Sequence, residues 1–342
     1  MIFRGAIILV FAVLISLVLV TYPSIKQEVY VKLFTCGDET PYESCSNIKP
    51  FYCYEGTLVT EANYCGCPED FIVVENHCEY DTLLGSKLIR LNYTLRGEDG
   101  FIDFLVYDEM ADYLFELPRS LFYKGDDRPL REEFKMLNIN EAEQRKLLLP
   151  LVAKIQNITN DKDDQFRIAV SLVQKIPFGF SNKTTRFGSY TLEYSRYSYE
   201  VLYDQEGICG EKSALLAFLL KELGYETVIF YYLLENHEAV GVKCPDKYSV
   251  KNTGYCFIET GGSSIITDEE IEYFGGIKLL SQPQILFISE GNSLGYNLYE
   301  YSDSKYFAKI RESFKDGRIN RWEEFKLNKL NEKYHIEERY NL

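Results

Sequence analysis

The sequence predicts an α+β fold: a helix packed on an antiparallel sheet, preceded by a transmembrane helix and a small disulfide-rich module. Three observations carry this. A strongly apolar helical run from Cys209 to Leu223 stops at Gly224, and three strand-like runs follow it at 227–234, 237–242 and 255–260. Six of the nine cysteines crowd into Cys36–Cys78. An unbroken apolar stretch, Ala6 to Val20, opens the chain.

At 342 residues, 46% hydrophobic and 26% charged, the composition is globular and allows two or three domains. The net charge of −15 argues against a nucleic-acid partner, because phosphate binding needs clustered Lys and Arg. It fits solubility in a salty or wall-associated setting. The apolar stretch, flanked by Arg4 and by Thr21-Tyr22-Pro23, is just long enough to span a bilayer. The single positive flank keeps the N-terminus inside and exports the rest. Residues 1–22 are therefore expected to be a single-pass signal anchor in the cell membrane, with the C-terminal bulk extracytoplasmic. A cleaved signal peptide is the rival reading, but no small-x-small cleavage site follows the run. Residues 23–35 read as a stalk.

Residues 36–80 lack the apolar periodicity of a core-building segment and must be held by cross-links. Cys36, Cys45, Cys53, Cys65, Cys67 and Cys78 include one C-x-C but no C-x-x-C pair of the zinc-ribbon type, so three disulfides are expected. Their connectivity is not legible in sequence. Asn92, Asn157 and Asn182 stand in N-x-[ST] sequons, candidate glycosylation sites in an exported chain.

The segment 81–135 reads as β-rich, with a hairpin of Leu88–Leu95 and Phe101–Val106 around a Gly97–Gly100 turn. Residues 136–300 form the main domain. It opens with a helix over 138–158, capped by Asn140, with Leu147, Leu148, Leu151 and Ile155 on its apolar face. A second helix spans Asp163 to about Gln174. The acidic run Asp161–Asp164 lacks the glycine and distal glutamate of a calcium loop and reads as a helix start. Residues 301–342 read as amphipathic helices containing the only tryptophan, Trp322.

The densest chemical signal is Gly207-Ile208-Cys209-Gly210-Glu211-Lys212-Ser213. It puts Cys209 at the first turn of a buried helix, where N–H groups and the helix dipole favour a thiolate and could hold an oxyanion. Glu211 and Ser213 read as ordinary first-turn residues. His237 opens the second strand and Glu259 stands in the third. Nucleophile, base and orienting acid follow in the order that thiol chemistry requires. Cys244 and Cys256 flank the loop between those two strands and are expected to bridge it, leaving Cys209 as the odd thiol.

The G-x-C-x-E-x-S helix start, the Asn-His-Glu-Ala-Val strand and the later acidic strand resemble the transglutaminase-like superfamily, over about residues 160–275. In layout the chain resembles archaeal exported members with a cysteine-rich segment before the thiol domain. The resemblance implies a papain-related thiol fold acting on polypeptide amides, with nucleophile, base and acid at Cys209, His237 and Glu259. Two departures stand out: Glu259 replaces the usual aspartate, and the tryptophan often found near the active site is absent.

Each residue also has a plainer reading, as a buried structural thiol, a satisfied histidine or a surface acid. His77 and His335 compete with His237, but lie in the cysteine-rich module and a charged terminal helix. H-E-x-x-H fails because Gly241 stands where the second histidine belongs. No G-x-S-x-G, P-loop or dinucleotide fingerprint occurs, and no metal or cofactor is expected. Thiol–disulfide exchange would need a C-x-x-C. The expectation is an extracytoplasmic amide-directed thiol enzyme whose substrate is a surface or wall-associated polypeptide. The alternative is a catalytically silent binding or structural ectodomain. Oligomeric state is not encoded in any pattern found.

Overall fold

A computed structural model describes residues 34–69, 71–80, 85–119, 129–187, 190–268, 272–273, 277–315, 317 and 319–336. The expected anchor, 1–22, and all but the last two residues of the stalk lie outside the described residues. Among the described residues, no helix is long and apolar enough to cross a membrane. Contacts divide the chain into two compact units: residues up to 81 with 156–161, and 82–155 with 162–342.

In the first unit, β1 (Ser44–Cys45), β2 (Phe51–Tyr54) and β3 (Thr57–Thr60) form an antiparallel sheet in that order. The short helix α1 (Ala62–Cys65) leads to a hairpin of β4 (Phe71–Val74) and β5 (His77–Tyr80). The disulfides are Cys36–Cys53, Cys45–Cys65 and Cys67–Cys78. The buried hydrophobic residues described between 34 and 80 are Cys36, Cys53, Leu58, Ala62 and Cys65, so sulfur replaces the apolar core the segment lacks.

The second unit opens with a ten-rung hairpin, β6 (Ser86–Leu95) and β7 (Glu98–Tyr107), closed by Arg96 and Gly97. Both turn residues have positive φ, the type I′ form that matches strand twist. The turn therefore lies before Glu98, and Glu98–Gly100, expected in the turn, belong to the second strand. Two helices complete the segment expected to be β-rich: α2 (Asp108–Glu116) and α3 (Arg131–Ile139). Helix α4 (Ala142–Ile158) is separate from α3. Asn140 ends α3 rather than capping α4, because the Glu141 carboxylate takes the first-turn N–H groups of Glu143 and Gln144, at 3.1 and 2.6 Å. Helix α5 (Lys162–Lys175) follows, then the hairpin β8 (Thr184–Phe187) and β9 (Tyr190–Glu193), and helix α6 (Ser198–Asp204).

Helix α7 (Cys209–Glu222) precedes β10 (Thr227–Tyr232), β11 (His237–Lys243) and β12 (Tyr255–Ile258). The two-residue strands β13 (Glu272–Tyr273) and β14 (Ile277–Lys278) pair with each other. The strand β15 (Gln284–Ser289), which no sequence signal marked, completes an antiparallel sheet of order β12-β11-β10-β15. Strand β10 is buried on both faces. Val228, Phe230 and Tyr232 pack with Ala239, Val250 and Phe257, and α7 packs against β10 and β11. Helices α8 (Glu300–Lys315) and α9 (Arg321–Tyr334) close the chain.

The fourth disulfide, Cys244–Cys256, closes the β11–β12 loop over a separation of 12 residues. Loop-closure entropy predicts that replacing both cysteines with Ala costs about 3 kcal/mol. Urea unfolding of the double variant checks this, and peptide mapping should recover the bridge in the wild type.

Candidate active site

The start and end of α7 set the position of Cys209. Ile208 is extended at φ −83° and ψ 169°, and Glu211 folds back so that its carboxylate accepts the Ile208 N–H at 3.0 Å. Cys209 is thus the first helical residue, on the electropositive end of the helix dipole. At the other end, Gly224 adopts φ +88°. The Gly224 and Tyr225 N–H groups return to the Lys221 and Leu220 carbonyls, each at 3.0 Å. This turn needs a glycine and sends the chain directly into β10. Cys209 is buried, 8% exposed, and outside any disulfide.

His237 is the first residue of β11, paired with Tyr232 of β10. The β11–β12 ladder ends at Val240 and Ile258, so Glu259 lies just past the strand in which it was expected. The reason is local. Glu259 Oε1 takes the N–H groups of Thr260 and Gly261, at 2.9 and 2.6 Å, and draws them out of the ladder. A Cβ on Gly261 would lie 3.0 Å from the same oxygen.

Glu259 Oε2 and His237 Nε2 are 2.9 Å apart, and both side chains are wholly buried. Cys209 also interacts with the imidazole and favours its protonated form. Burial alone would pull the imidazolium down. The Glu259 charge and the interaction with Cys209 more than offset this, and the His237 titration is pushed up to about 10.

The structure therefore brings Cys209, His237 and Glu259 together. His77 sits in β5 and His335 at the C-terminus of α9, 3.8 Å from Asp99. Asn92, Asn157 and Asn182 are all exposed. Several surrounding residues carried no clear sequence signal. Arg196 meets Asp204, Glu206 and Glu211, and its own N–H donates to Glu211 at 2.7 Å. Lys212, wholly buried, donates to the Ile176 and Gln174 carbonyls at the end of α5, and its charge inside an apolar helix was the one hint available. Gln174 Nε2 donates to the Glu259 carbonyl at 2.9 Å. Lys135 of α3 lies 2.6 Å from Glu238 and 3.3 Å from the Gly210 carbonyl. A cavity of about 670 Å³ reaches Gly210, Glu211 and Ala214 but not Cys209. Among the described residues, no group of three or more His, Cys, Asp or Glu could hold a metal ion.

No known family profile and no curated protein matches this sequence. Among solved structures, the chain is similar to calcium-bound LapG of Legionella pneumophila, at 13% identity and a TM-score of 0.25. The likeness spans 52% of this chain and 99% of that one. A likeness of that size assigns neither family nor activity.

The raised His237 titration has a definite sign. Protonated His237 stabilises the fold in full below the unfolded value of 6.5, and this contribution is lost as pH rises through about 10. Denaturant-measured stability should therefore fall across that window, and a flat wild-type profile would contradict the buried ion pair. Glu259→Gln removes the main raising charge, so the imidazole titration followed by NMR should move from about 10 toward 6.5.

Proposed function

We propose that this chain is an exported, transglutaminase-like thiol enzyme acting on amide bonds of polypeptides through Cys209, His237 and Glu259. One observation carries the reading: a buried imidazole held by a carboxylate at 2.9 Å and interacting with the Cys209 thiol at a helix start. Cys209 gives its proton to His237 as its sulfur attacks the amide carbonyl carbon, and first-turn N–H groups of α7 receive the developing oxyanion. His237 passes a proton to the departing nitrogen as the C–N bond breaks, leaving a thioester. Water or an amine then attacks the thioester and yields its proton to His237. The C–S bond breaks and regenerates the thiol. Glu259 holds the imidazole in orientation throughout. Hydrolysis and transamidation differ only in the acceptor, and the three residues serve both.

Four disulfides fit folding in an oxidising compartment. We place the enzyme outside the membrane, held by residues 1–22 and glycosylated at Asn92, Asn157 and Asn182. Its proposed substrate is a surface or wall-associated polypeptide. The 8% exposure of Cys209 favours a second reading, a silent binding or structural ectodomain that keeps the site without using it.

Cys209→Ala should abolish turnover while leaving the melting temperature unchanged, and retained turnover would eliminate the mechanism. Without reductant, iodoacetamide should label Cys209 alone. The pH dependence of its labelling should change when His237 is replaced by Ala. Equal profiles for wild type and His237→Ala would favour the silent reading.

A further inference from the structure

Ser213 and Thr260 are wholly buried hydroxyls, a placement that is costly unless they are hydrogen-bonded. Ser213 lies one turn after Cys209 on α7, and Thr260 directly follows Glu259. Their oxygens are 3.0 Å apart. Ser213 Oγ also reaches the carbonyl of Glu238, the residue after His237, at 3.3 Å. Thr260 Oγ1 reaches the Cys209 carbonyl at 3.3 Å. The pair thus touches the segments that carry all three reacting side chains.

These contacts supply something that apolar packing does not. The buried side chains of helix α7 are mostly Leu, Phe and Ala, and apolar packing is non-directional. Hydroxyl bonds fix direction and distance. Two hydroxyl protons serve three contacts, so the network can run from Thr260 through Ser213 to Glu238, or split between the Cys209 and Glu238 carbonyls. Either arrangement ties the His237 strand to α7. Lys135 links Gly210 to Glu238, and Gln174 holds the Glu259 carbonyl from α5. The hydroxyl pair spans all three segments at once.

We propose that Ser213 and Thr260 are positioning residues, which register the His237 strand and the Glu259 turn on the nucleophile helix. The proposal rests on the reading of Cys209, His237 and Glu259 as the reacting groups. The groups facing the imidazole are Cys209 from α7, Glu259 after β12 and the Tyr232 ring of β10, 6.5 Å away between centroids. A shift of register changes the first two contacts directly.

The test uses the full-length chain, unmodified and as Thr260→Val, Thr260→Ser and Ser213→Ala. Two readouts are taken: the His237 imidazole titration by nitrogen-15 NMR, and the pH–rate profile of Cys209 alkylation. Thr260→Val keeps the side-chain shape without the hydroxyl. It should lower the His237 titration by about one unit or more, and slow alkylation at neutral pH about tenfold. Thr260→Ser should restore both, and Ser213→Ala should act in the same direction as Thr260→Val. A role limited to stability would lower the melting temperature and leave both profiles unmoved, which would overturn the proposal, as would failure of the serine rescue. If Thr260→Val does not fold, Ser213→Ala decides by the same criteria. If wild-type alkylation shows no dependence on His237, the enzymatic reading fails on its own. The NMR titration then still decides whether the hydroxyl pair sets the geometry.

Discussion

The contact between His237 and Glu259 imposes the strictest demand in the second unit. Burying a carboxylate and an imidazolium costs several kcal/mol per ion before their attraction is counted. Such a pair is tolerable only if the remaining hydrogen-bonding capacity is met. Glu259 meets it locally: one oxygen takes two successive backbone N–H groups and the other takes the imidazole. That requires the chain to turn immediately after β12. A Cβ at position 261 would lie 3.0 Å from that carboxylate, so a side chain there would press on it. Cys209 at the start of α7 interacts with the same imidazole, and Thr260 bonds the Cys209 carbonyl, so the helix start is tied to the strand ends.

The same economy governs other charges around the site. Glu211 is needed to begin α7, yet it is buried, which raises its pKa against the hydrogen bonds and Arg196 charge that lower it. Arg196 shares its guanidinium among three carboxylates. Lys212 finds its partners in the carbonyls that end α5, where a cation complements the helix dipole. In the first unit the constraint is different. Among its described residues few apolar side chains are buried, and three disulfides limit the unfolded chain instead.

Much of the site's neighbourhood was legible because it depends on short-range rules. The apolar run bounded by Cys209 and Gly224 specifies a buried helix with a left-handed cap, and β10 and β11 follow from their apolar runs and the Glu235-Asn236 turn. The exceptions have identifiable causes. Asn140 has a capping side chain, but Glu141, one residue on, takes the first-turn N–H groups of α4. The Gly97–Gly100 segment has turn composition, yet positive φ at Arg96 and Gly97 suffices to reverse the chain two residues earlier. Glu259 continues the strand pattern, but its own carboxylate competes for the N–H groups that the ladder would use. Strand β15 has an alternating, half-exposed pattern, and only its pairing with β10 gives it identity.

By itself the sequence determined which residue types could carry thiol chemistry, where the helix of Cys209 begins and ends, and that one cysteine would remain outside the four bridges. Those properties follow from local periodicity, capping chemistry and counting. Only the tertiary structure decided the pairing of the six N-terminal cysteines, the 2.9 Å contact of His237 with Glu259, and the buried ties through Arg196, Lys212, Ser213 and Thr260. Each of these joins residues that the chain separates and the fold brings together, at distances set by the register of strands and the seating of α7 on the sheet.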